Sequence, residues 1–366
     1  MTKLDQLYAE CGQSPWIDNL RRDWIVDGTL QSWVAKGVRG VTSNPTIFQK
    51  AMAAGDAYDE QFRSLLAEGT SVPDAYWIMV KKDIADTLGL FRPLYDRSEG
   101  GDGFVSLELA PDQATDTQGS IDTTQSFHRE LDAPNLLVKI PGTAEGVPAV
   151  QASIAAGLNV NITLIFSLER YSTVMEAYLT GLEAYDGDLS RVHSVASFFV
   201  SRVDTEIDRR LEAIGTDEAL ALRGKGAVAQ AKLAYRQFRE VFSGPRWEAL
   251  AGRGARLQRP LWASTSVKNP DYPATLYVDP LIAPDTVNTM PEGTLETFEA
   301  EGSVAVTADE GVDEASTLWD RLGAVGVDTT DVGRVLEEEG VAAFAKSFDE
   351  LLATLEAKAA ELTADR

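Results

Sequence analysis

The chain has 366 residues, 44% of them hydrophobic, and a formal net charge of −24 at pH 7. That length suits one large α/β barrel or two ordinary domains, and the hydrophobic fraction can supply a sizeable core. The acidic surface repels phosphate backbones, which excludes a nucleic-acid partner, and an anionic substrate would need locally gathered arginine or lysine. No run approaches the roughly 20 apolar residues of a membrane span, so no membrane partner is expected.

The scarcity of cysteine and histidine limits the chemistry of the chain. Cys11 is the only cysteine, which excludes an intramolecular disulfide and fits a reducing cytoplasm. Residues 1–7 do not resemble a secretory signal, so a cytoplasmic location is expected. His128 and His193 are the only histidines and cannot form a three-histidine zinc site. We therefore expect covalent or acid–base organic chemistry with no metal and no cofactor.

The chain begins with a predicted helix over residues 4–10, after which short apolar segments alternate with amphipathic helical ones. This alternation is typical of repeated βα units. We predict eight strands, over residues 14–20, 38–43, 104–109, 136–140, 160–166, 192–203, 261–267 and 286–290. The predicted helices between them include residues 76–90, 146–156, 168–185, 204–214 and 225–242.

Eight parallel strands with intervening helices predict a closed (βα)8 TIM barrel, an α/β fold that typically takes about 250 residues. The barrel is expected over about residues 14–302, with an extra N-terminal helix and a C-terminal helical extension over about 303–366. The extension is expected to pack on the barrel exterior through apolar residues at helical spacing, namely Phe344, Phe348, Leu351, Leu352 and Leu355. No Pro-, Gly- or Ser-rich linker interrupts residues 1–366, which predicts a single domain.

Lys139 interrupts the otherwise apolar strand predicted over residues 136–140. Burial of a lone lysine disfavours its charged form, and the neutral amine is the nucleophile that a Schiff-base enzyme uses against a carbonyl. The alternative is a lysine at a strand end whose ammonium reaches water. The polar residues of the other strands decide between the two interpretations.

Chemistry in such a barrel takes place at the carboxyl ends of the strands, and polar residues recur there in seven consecutive predicted strands. They are Asp18, Asn44, Glu108, Lys139, Asn161, Thr163, Ser197, Arg202, Ser264, Ser266 and Lys268. Singly, each has a structural explanation: Asp18 could cap a helix, Asn44 could be a turn residue, and Glu108 could be ion-paired. Together, an amine, carboxylates, amides and cations predict a Schiff-base carbonyl enzyme that acts on a phosphorylated substrate.

Four segments that carry these side chains resemble the signature motifs of transaldolases. The segments are residues 40–48 (GVTSNPTIF), 138–143 (VKIPGT), 159–166 (NVNITLIF) and 262–270 (WASTSVKNP). The resemblance is closest to the longer bacterial form, which also occurs fused to glucose-6-phosphate isomerase. It covers essentially the whole chain, and the motifs occur together in the family's order.

The resemblance implies a reaction and its catalytic residues. A transaldolase moves a dihydroxyacetone unit through a lysine Schiff base, in the non-oxidative pentose phosphate pathway. The donor is sedoheptulose 7-phosphate or fructose 6-phosphate, and the acceptor is glyceraldehyde 3-phosphate or erythrose 4-phosphate. Lys139 would form the Schiff base and Asp18 would take the proton of the C4 hydroxyl. Glu108 would move protons through a water held with Thr163.

The resemblance also implies which residues bind the substrate. Phe199 would line the pocket, and the hydroxyls of the dihydroxyacetone unit would be bound by Asn44, Asn161 and Ser197. The phosphate would be bound by Arg202, Ser266 and Lys268. Many family members have Arg at the position of Lys268, so a point charge here replaces a bidentate fork.

Two other functions stay open at this point. The first is a fructose-6-phosphate aldolase-like lyase that releases free dihydroxyacetone; such relatives are shorter and tend to have Gln at the position of Glu108 and Tyr at that of Phe199. Glu and Phe here favour transfer. The second is a non-catalytic sugar-phosphate-binding barrel, which would have little reason to keep Lys139, Asp18 and Glu108 together. The expected partners are small sugar phosphates, and a homo-oligomer is possible.

Overall fold

A closed barrel of eight parallel strands organises residues 1–364, the part of the chain that the computed structural model describes. The strands are β1 (Gln13–Ile17), β2 (Gly40–Thr42), β3 (Phe104–Glu108), β4 (Leu136–Pro141), β5 (Val160–Ile165), β6 (Ser194–Phe199), β7 (Gln258–Ala263) and β8 (Thr286–Met290). Neighbouring strands pair in chain order, and β8 pairs with β1 to close the ring. The predicted (βα)8 barrel with additional helices is therefore confirmed.

Helices precede, connect and follow the strands. In chain order they are α1 (Lys3–Cys11), α2 (Arg22–Val26), α3 (Thr29–Ala35), α4 (Pro45–Ala53), α5 (Asp59–Ala67), α6 (Val72–Arg97), α7 (Thr117–Leu131), α8 (Gly146–Ala155), α9 (Leu168–Ala184), α10 (Ser201–Ile214), α11 (Asp217–Leu220), α12 (Gly226–Val241), α13 (Gly244–Ala251), α14 (Glu292–Glu301), α15 (Val312–Ala324) and α16 (Thr329–Ala364). None of those in residues 1–364 has the length and apolar character needed to cross a membrane.

Local chemistry explains where several of these elements begin and end. Thr2 and Asp5 form a capping box at the start of α1, and Gly12 ends that helix in the left-handed region at φ 69°. β4 and β5 are buried at every position, as strands covered on both faces must be. One continuous cluster of buried hydrophobic residues extends from Leu4 to Leu355. The single domain stays a prediction.

The sixth and seventh predicted strands were wrong at their carboxyl ends. The sixth was predicted to extend to residue 203, but β6 ends at Phe199 and α10 begins at Ser201. Apolar residues such as Val203 suggested a longer strand, whereas they form the buried face of a helix. β7 ends at Ala263, so the predicted seventh-strand residues after it lie in a loop.

The C-terminal extension does not lie only on the barrel exterior, as the sequence had suggested. α16 crosses the carboxyl end of the barrel, where Gly340 lies against Leu164 and Phe166, and Thr46 Oγ1 donates a hydrogen bond of 2.9 Å to Ser347 Oγ. Helical spacing identifies the apolar face of such a helix but not the surface that it covers. Residues 365–366 of the predicted extension lie outside the described residues.

Candidate active site

The carboxyl ends of the strands open into a cavity of about 480 Å³. Nine of the predicted site residues line it: Asp18, Asn44, Lys139, Thr163, Ser197, Phe199, Arg202, Ser266 and Lys268. The other two, Glu108 and Asn161, lie behind this surface and bond to Lys139 and Ser197 respectively. The structure thus brings all eleven residues to one end of the barrel.

Lys139 lies on β4 with its amine inside the barrel. Its Nζ donates to the backbone oxygen of Ser43 at 2.9 Å and to Glu108 Oε2 at 3.0 Å, and the residue is only 5% exposed. The alternative of an ammonium that reaches water is therefore wrong. The adjacent strand β3 places the carboxylate of Glu108 opposite this amine.

Glu108 combines an ion pair with an unused oxygen. Burial raises the pKa of its carboxyl, while the charge and hydrogen bond of Lys139 act in the opposite direction. Its Oε1 and the Oγ1 of Thr163 are both buried and have no hydrogen-bond partner within residues 1–364. Buried oxygens of this kind normally have a partner, so both are available to a bound molecule.

Asp18 lies at the end of β1 on the opposite side of the cavity. Thr42 Oγ1 donates to its Oδ1 at 2.6 Å, and Thr42 in turn contacts Thr289 Oγ1 at 2.7 Å. Burial raises the pKa of the Asp18 carboxyl, opposed by the Thr42 hydrogen bond and the charges of Lys139 and Arg202. The helix-cap explanation does not hold, since the N-cap of the next helix, α2, is another residue, without a side-chain bond.

The amide side chains differ in what they leave free for a ligand. Asn44 is the N-cap of α4, where its Oδ1 accepts from the Ile47 N–H at 3.0 Å, so it caps a helix and is not the turn residue of the alternative explanation. Asn44 lines the cavity, and within the described chain its amide nitrogen is left free to donate hydrogen bonds to a ligand. Asn161 is fully buried, donates to Ser106 Oγ at 3.0 Å and accepts from Ser197 Oγ at 2.7 Å. Asn161 therefore fixes the direction of the Ser197 hydroxyl.

Cations line the side of the cavity between α10 and the loop after β7. Arg202 lies in the first turn of α10, with its guanidinium carbon 5.5 Å from the centre of the Phe199 ring. Burial lowers the pKa of Arg202, and the carboxylates of Glu339 and Asp18 oppose that effect. Ser266 and the exposed Lys268 complete this side of the lining. Such a group of donors can bind an anion on a chain of strongly negative charge.

The cavity is also lined by residues that the sequence analysis did not select, among them Thr42, Lys50 and Phe344. Thr42 could have been found, because it belongs to a recognised motif and follows the inward alternation of β2. Lys50 on α4 also lines the cavity, and the helical spacing from Asn44 gave a weaker signal for it. Phe344 reaches the cavity from α16, about 200 positions after Lys139, and no local pattern indicated that placement.

Fold and site together define the class of the protein. It is a (βα)8-barrel enzyme whose cavity brings together a buried amine, two carboxylates and cationic side chains. The family model described as Transaldolase/Fructose-6-phosphate aldolase matches residues 15–355. The chain belongs to this family.

Similar full-length proteins carry the name transaldolase. The chain is 50% identical over 352 residues to the transaldolase of Thermobifida fusca (strain YX), with 95% of this chain and 96% of that protein covered. It is 51% identical over 349 residues to that of Mycolicibacterium smegmatis, with 94% of each chain covered. It is 48% identical over 350 residues to that of Mycobacterium tuberculosis (strain ATCC 25618 / H37Rv), again with 94% of each covered. Family and relatives support transaldolase activity, which is that of a transferase.

Proposed function

We propose that the chain transfers a dihydroxyacetone unit from fructose 6-phosphate or sedoheptulose 7-phosphate to an aldose phosphate, through an imine on Lys139. The observation that carries this proposal is the buried pair of Lys139 and Glu108 at 3.0 Å, facing Asp18 in one cavity. An amine beside a carboxylate that can exchange its proton is what carbonyl attack requires.

The first step is attack of the neutral Lys139 amine on the C2 carbonyl of the ketose. Glu108 takes the proton that the ammonium must lose, and it returns a proton to the hydroxyl that leaves as water when the imine forms. Its raised pKa suits this exchange, because a carboxyl of higher pKa accepts a proton more readily. The free oxygens of Glu108 and Thr163 support proton transfer through a water molecule bound between them.

The second step is cleavage of the bond between C3 and C4. Ionised Asp18 takes the proton of the C4 hydroxyl, the C3–C4 electron pair moves into the protonated imine, and the aldose phosphate leaves. The three-carbon enamine stays bound to Lys139. An incoming aldehyde is then attacked by the enamine with Asp18 returning the proton, and hydrolysis of the imine releases the new ketose phosphate.

Substrate binding follows from the cavity lining. The amide nitrogen of Asn44 and the hydroxyl of Ser197 are placed to bind the hydroxyls of the three-carbon unit, with Asn161 holding Ser197 in position. At the other end, the phosphate is bound by Arg202, Ser266 and Lys268. A cytoplasmic location, where a buried free Cys11 stays reduced, is part of the proposal.

Borohydride trapping tests this proposal, because hydride reduces an imine to a stable secondary amine. With fructose 6-phosphate, the wild type should gain a three-carbon adduct at Lys139, and Lys139→Arg should gain none, since its guanidinium cannot form the imine. Erythrose 4-phosphate added before the borohydride should take up the three-carbon unit, so that less adduct is trapped and sedoheptulose 7-phosphate forms. Release of free dihydroxyacetone with no transfer would instead identify a lyase, and the absence of any adduct would identify a binding protein.

A further inference from the structure

The loop after β7 brings two proposed phosphate ligands to the cavity without any regular structure of its own. This loop, residues 264–278, contains Ser266 and Lys268 and has neither helix nor strand. We call it the phosphate loop. A segment of this kind must be fixed by side-chain contacts if its cation is to be held at one position.

Three side-chain contacts along one face of α10 help to fix the phosphate loop, which Thr265 also joins to β8. At the start of the helix, Ser201 Oγ lies 2.9 Å from Ser264 Oγ. The other two contacts are made by tyrosine hydroxyls of the loop that donate to carboxylates of the helix: Tyr277 to Asp204 Oδ2 at 3.0 Å, and Tyr272 to Asp208 Oδ2 at 2.6 Å. Spacings of three and four residues place these helix positions on one face.

Each of the two carboxylates also binds a third segment of the chain. The Ala227 N–H donates to Asp204 Oδ1 at 2.7 Å, and the Gly224 N–H donates to Asp208 Oδ1 at 2.9 Å. Gly224 has a φ of 67°, and a Cβ there would lie 2.7 Å from the Tyr272 ring, so the ring packs directly on the backbone. Each carboxylate therefore has one oxygen bonded to the backbone of this third segment and the other bonded to a tyrosine of the phosphate loop.

The same helix carries Arg202, two residues before Asp204. α10 therefore holds one cation of the phosphate site directly and fixes the loop that holds the other. We propose that Tyr272 and Asp208, with Tyr277 and Asp204, are positioning residues that set the distance between Lys268 and Arg202 for phosphate binding. This inference rests on the proposed function, because it assumes a phosphorylated substrate.

The test compares kinetics with fructose 6-phosphate and with unphosphorylated fructose as donor. Erythrose 4-phosphate is kept at a saturating concentration in every assay, because this acceptor also carries a phosphate. Tyr272→Phe should raise KM for fructose 6-phosphate roughly three- to tenfold, the size expected for the loss of one hydrogen bond, and leave kcat and the reaction of fructose unchanged. Tyr178→Phe is the matched control, because it removes a buried hydroxyl that donates to the Arg256 backbone at 2.7 Å, outside the loop. It should leave every parameter unchanged.

A double variant shows whether Tyr272 acts through the loop. Lys268→Ala alone should raise KM for fructose 6-phosphate by roughly ten- to a hundredfold, as expected for a hydrogen bond to a charged group. Combined with Tyr272→Phe, the increase should stay close to that of Lys268→Ala alone. Asp208→Asn leaves one acceptor oxygen for the two donors that Asp208 binds, the Gly224 N–H and the Tyr272 hydroxyl, so KM for fructose 6-phosphate should also rise.

Three results would overturn the inference: an unchanged KM in Tyr272→Phe, equal losses for both sugars, or independent effects in the double variant. Melting temperatures of all variants separate these results from a loss of folded protein. The proposed function fails separately, if the wild type forms no adduct at Lys139. If Lys268→Ala raises KM and Tyr272→Phe does not, only the positioning role fails.

Discussion

The ion pair of Lys139 and Glu108 lies where both charges are removed from water. Each side chain is less than a tenth exposed, and their separation is 3.0 Å. Desolvation of two ions is costly, and the mutual attraction offsets it only with good geometry and further hydrogen bonds. Lys139 has such a bond to the Ser43 backbone, whereas one oxygen of Glu108 has none within the described chain. Such a pair should add little to the stability of the fold, and its geometry is suited to the transfer of a proton between the amine and the carboxylate.

Replacement of Glu108 by Ala should slow imine formation while leaving the cleavage step comparatively intact. The loss of a general acid–base group costs about 10²–10⁴-fold in rate. The measurement is the rate of borohydride-trapped adduct at Lys139 after rapid mixing with fructose 6-phosphate. Glu108→Gln keeps the shape and a hydrogen-bonding oxygen but cannot exchange a proton, so it should show a loss of similar size. A trapping rate equal to that of the wild type would show that another group moves the proton.

Asp18→Asn should separate cleavage from imine formation in the opposite way. The variant can still form the imine but cannot accept the C4 hydroxyl proton, so turnover should fall by about 10²–10⁴-fold. Borohydride should then trap an intact phosphorylated six-carbon adduct at Lys139. A three-carbon adduct that forms at the normal rate would contradict the role proposed for Asp18.

The pH dependence of turnover gives a second test of Asp18. Burial raises the pKa of Asp18, and the carboxyl is ionised only at a pH above that pKa. Activity should therefore be lost as the pH falls through the raised pKa. The Thr42 hydroxyl lowers the pKa by donating at 2.6 Å. Thr42→Val should therefore move the acid limb of the kcat profile to higher pH. A shift to lower pH, or none, would contradict the assignment.

At the scale of elements, α16 closes one side of the cavity with Phe344. The ring is 8% exposed and lines the cavity that holds Lys139. Transfer requires that the three-carbon enamine survives until an acceptor arrives, and exclusion of water protects such intermediates. A helix far along the chain thus contributes to the proposed preference for transfer over hydrolysis.

Phe344→Ala should increase the release of free dihydroxyacetone relative to transfer, since water gains access to the imine. Phe348→Ala is a matched control, because Phe348 packs on Tyr76 at 5.5 Å one turn later and does not line the cavity. Truncation of a buried Phe such as Phe344 destabilises by about 3–5 kcal/mol, and truncation of the half-buried Phe348 should cost less. Both variants should lower the melting temperature. Coupled assays of dihydroxyacetone and sedoheptulose 7-phosphate measure the ratio. An equal ratio in both variants would mean that Phe344 contributes only to packing.

The sequence predicted the barrel well because most strands are short segments rich in apolar or β-branched residues. β8 has the predicted bounds, 286–290, and β3 differs by one residue. Prediction failed where apolar residues continued past a strand end, as at Val203, because a buried strand and the buried face of a helix look alike over a few residues. It also failed for Phe344, because contacts between distant segments depend on packing and leave no periodic signal.

The candidate site was predictable for a different reason. The motif residues lie at strand ends, and closure of the barrel converges all strand ends on one mouth. The contacts that hold the site in place were harder to predict from the sequence. The hydrogen bond between Tyr272 and Asp208, for example, connects positions 64 apart. Sequence alone therefore identifies side chains that face the cavity but not the contacts that hold them.

At the scale of the whole molecule, buried carboxyls make stability depend on pH. Asp204 is 1% exposed, and burial raises its pKa to about 6 from 3.8, with the nearby charge of Asp208 acting in the same direction. Hydrogen bonds from Ala227 and Tyr277 oppose the rise. The folded state therefore holds the proton of Asp204 more tightly than the unfolded state does. Its contribution to stability is complete below about pH 3.8 and is lost as pH rises through about 6.

Urea unfolding of the wild type and of Asp204→Asn between pH 4 and 7 tests this dependence. The asparagine has no proton to lose, so the free energy of unfolding of the wild type should fall relative to that of the variant, by up to about 3 kcal/mol. Titrating groups that do not interact with Asp204 are common to both proteins and cancel in the difference; Asp208, which does interact, is the exception. Tyr277→Phe removes a hydrogen bond that lowers the Asp204 pKa, so in that background the fall should extend to higher pH. A difference that stays constant across this range would show that Asp204 is ionised throughout and that its charge is fully compensated by the segments it joins.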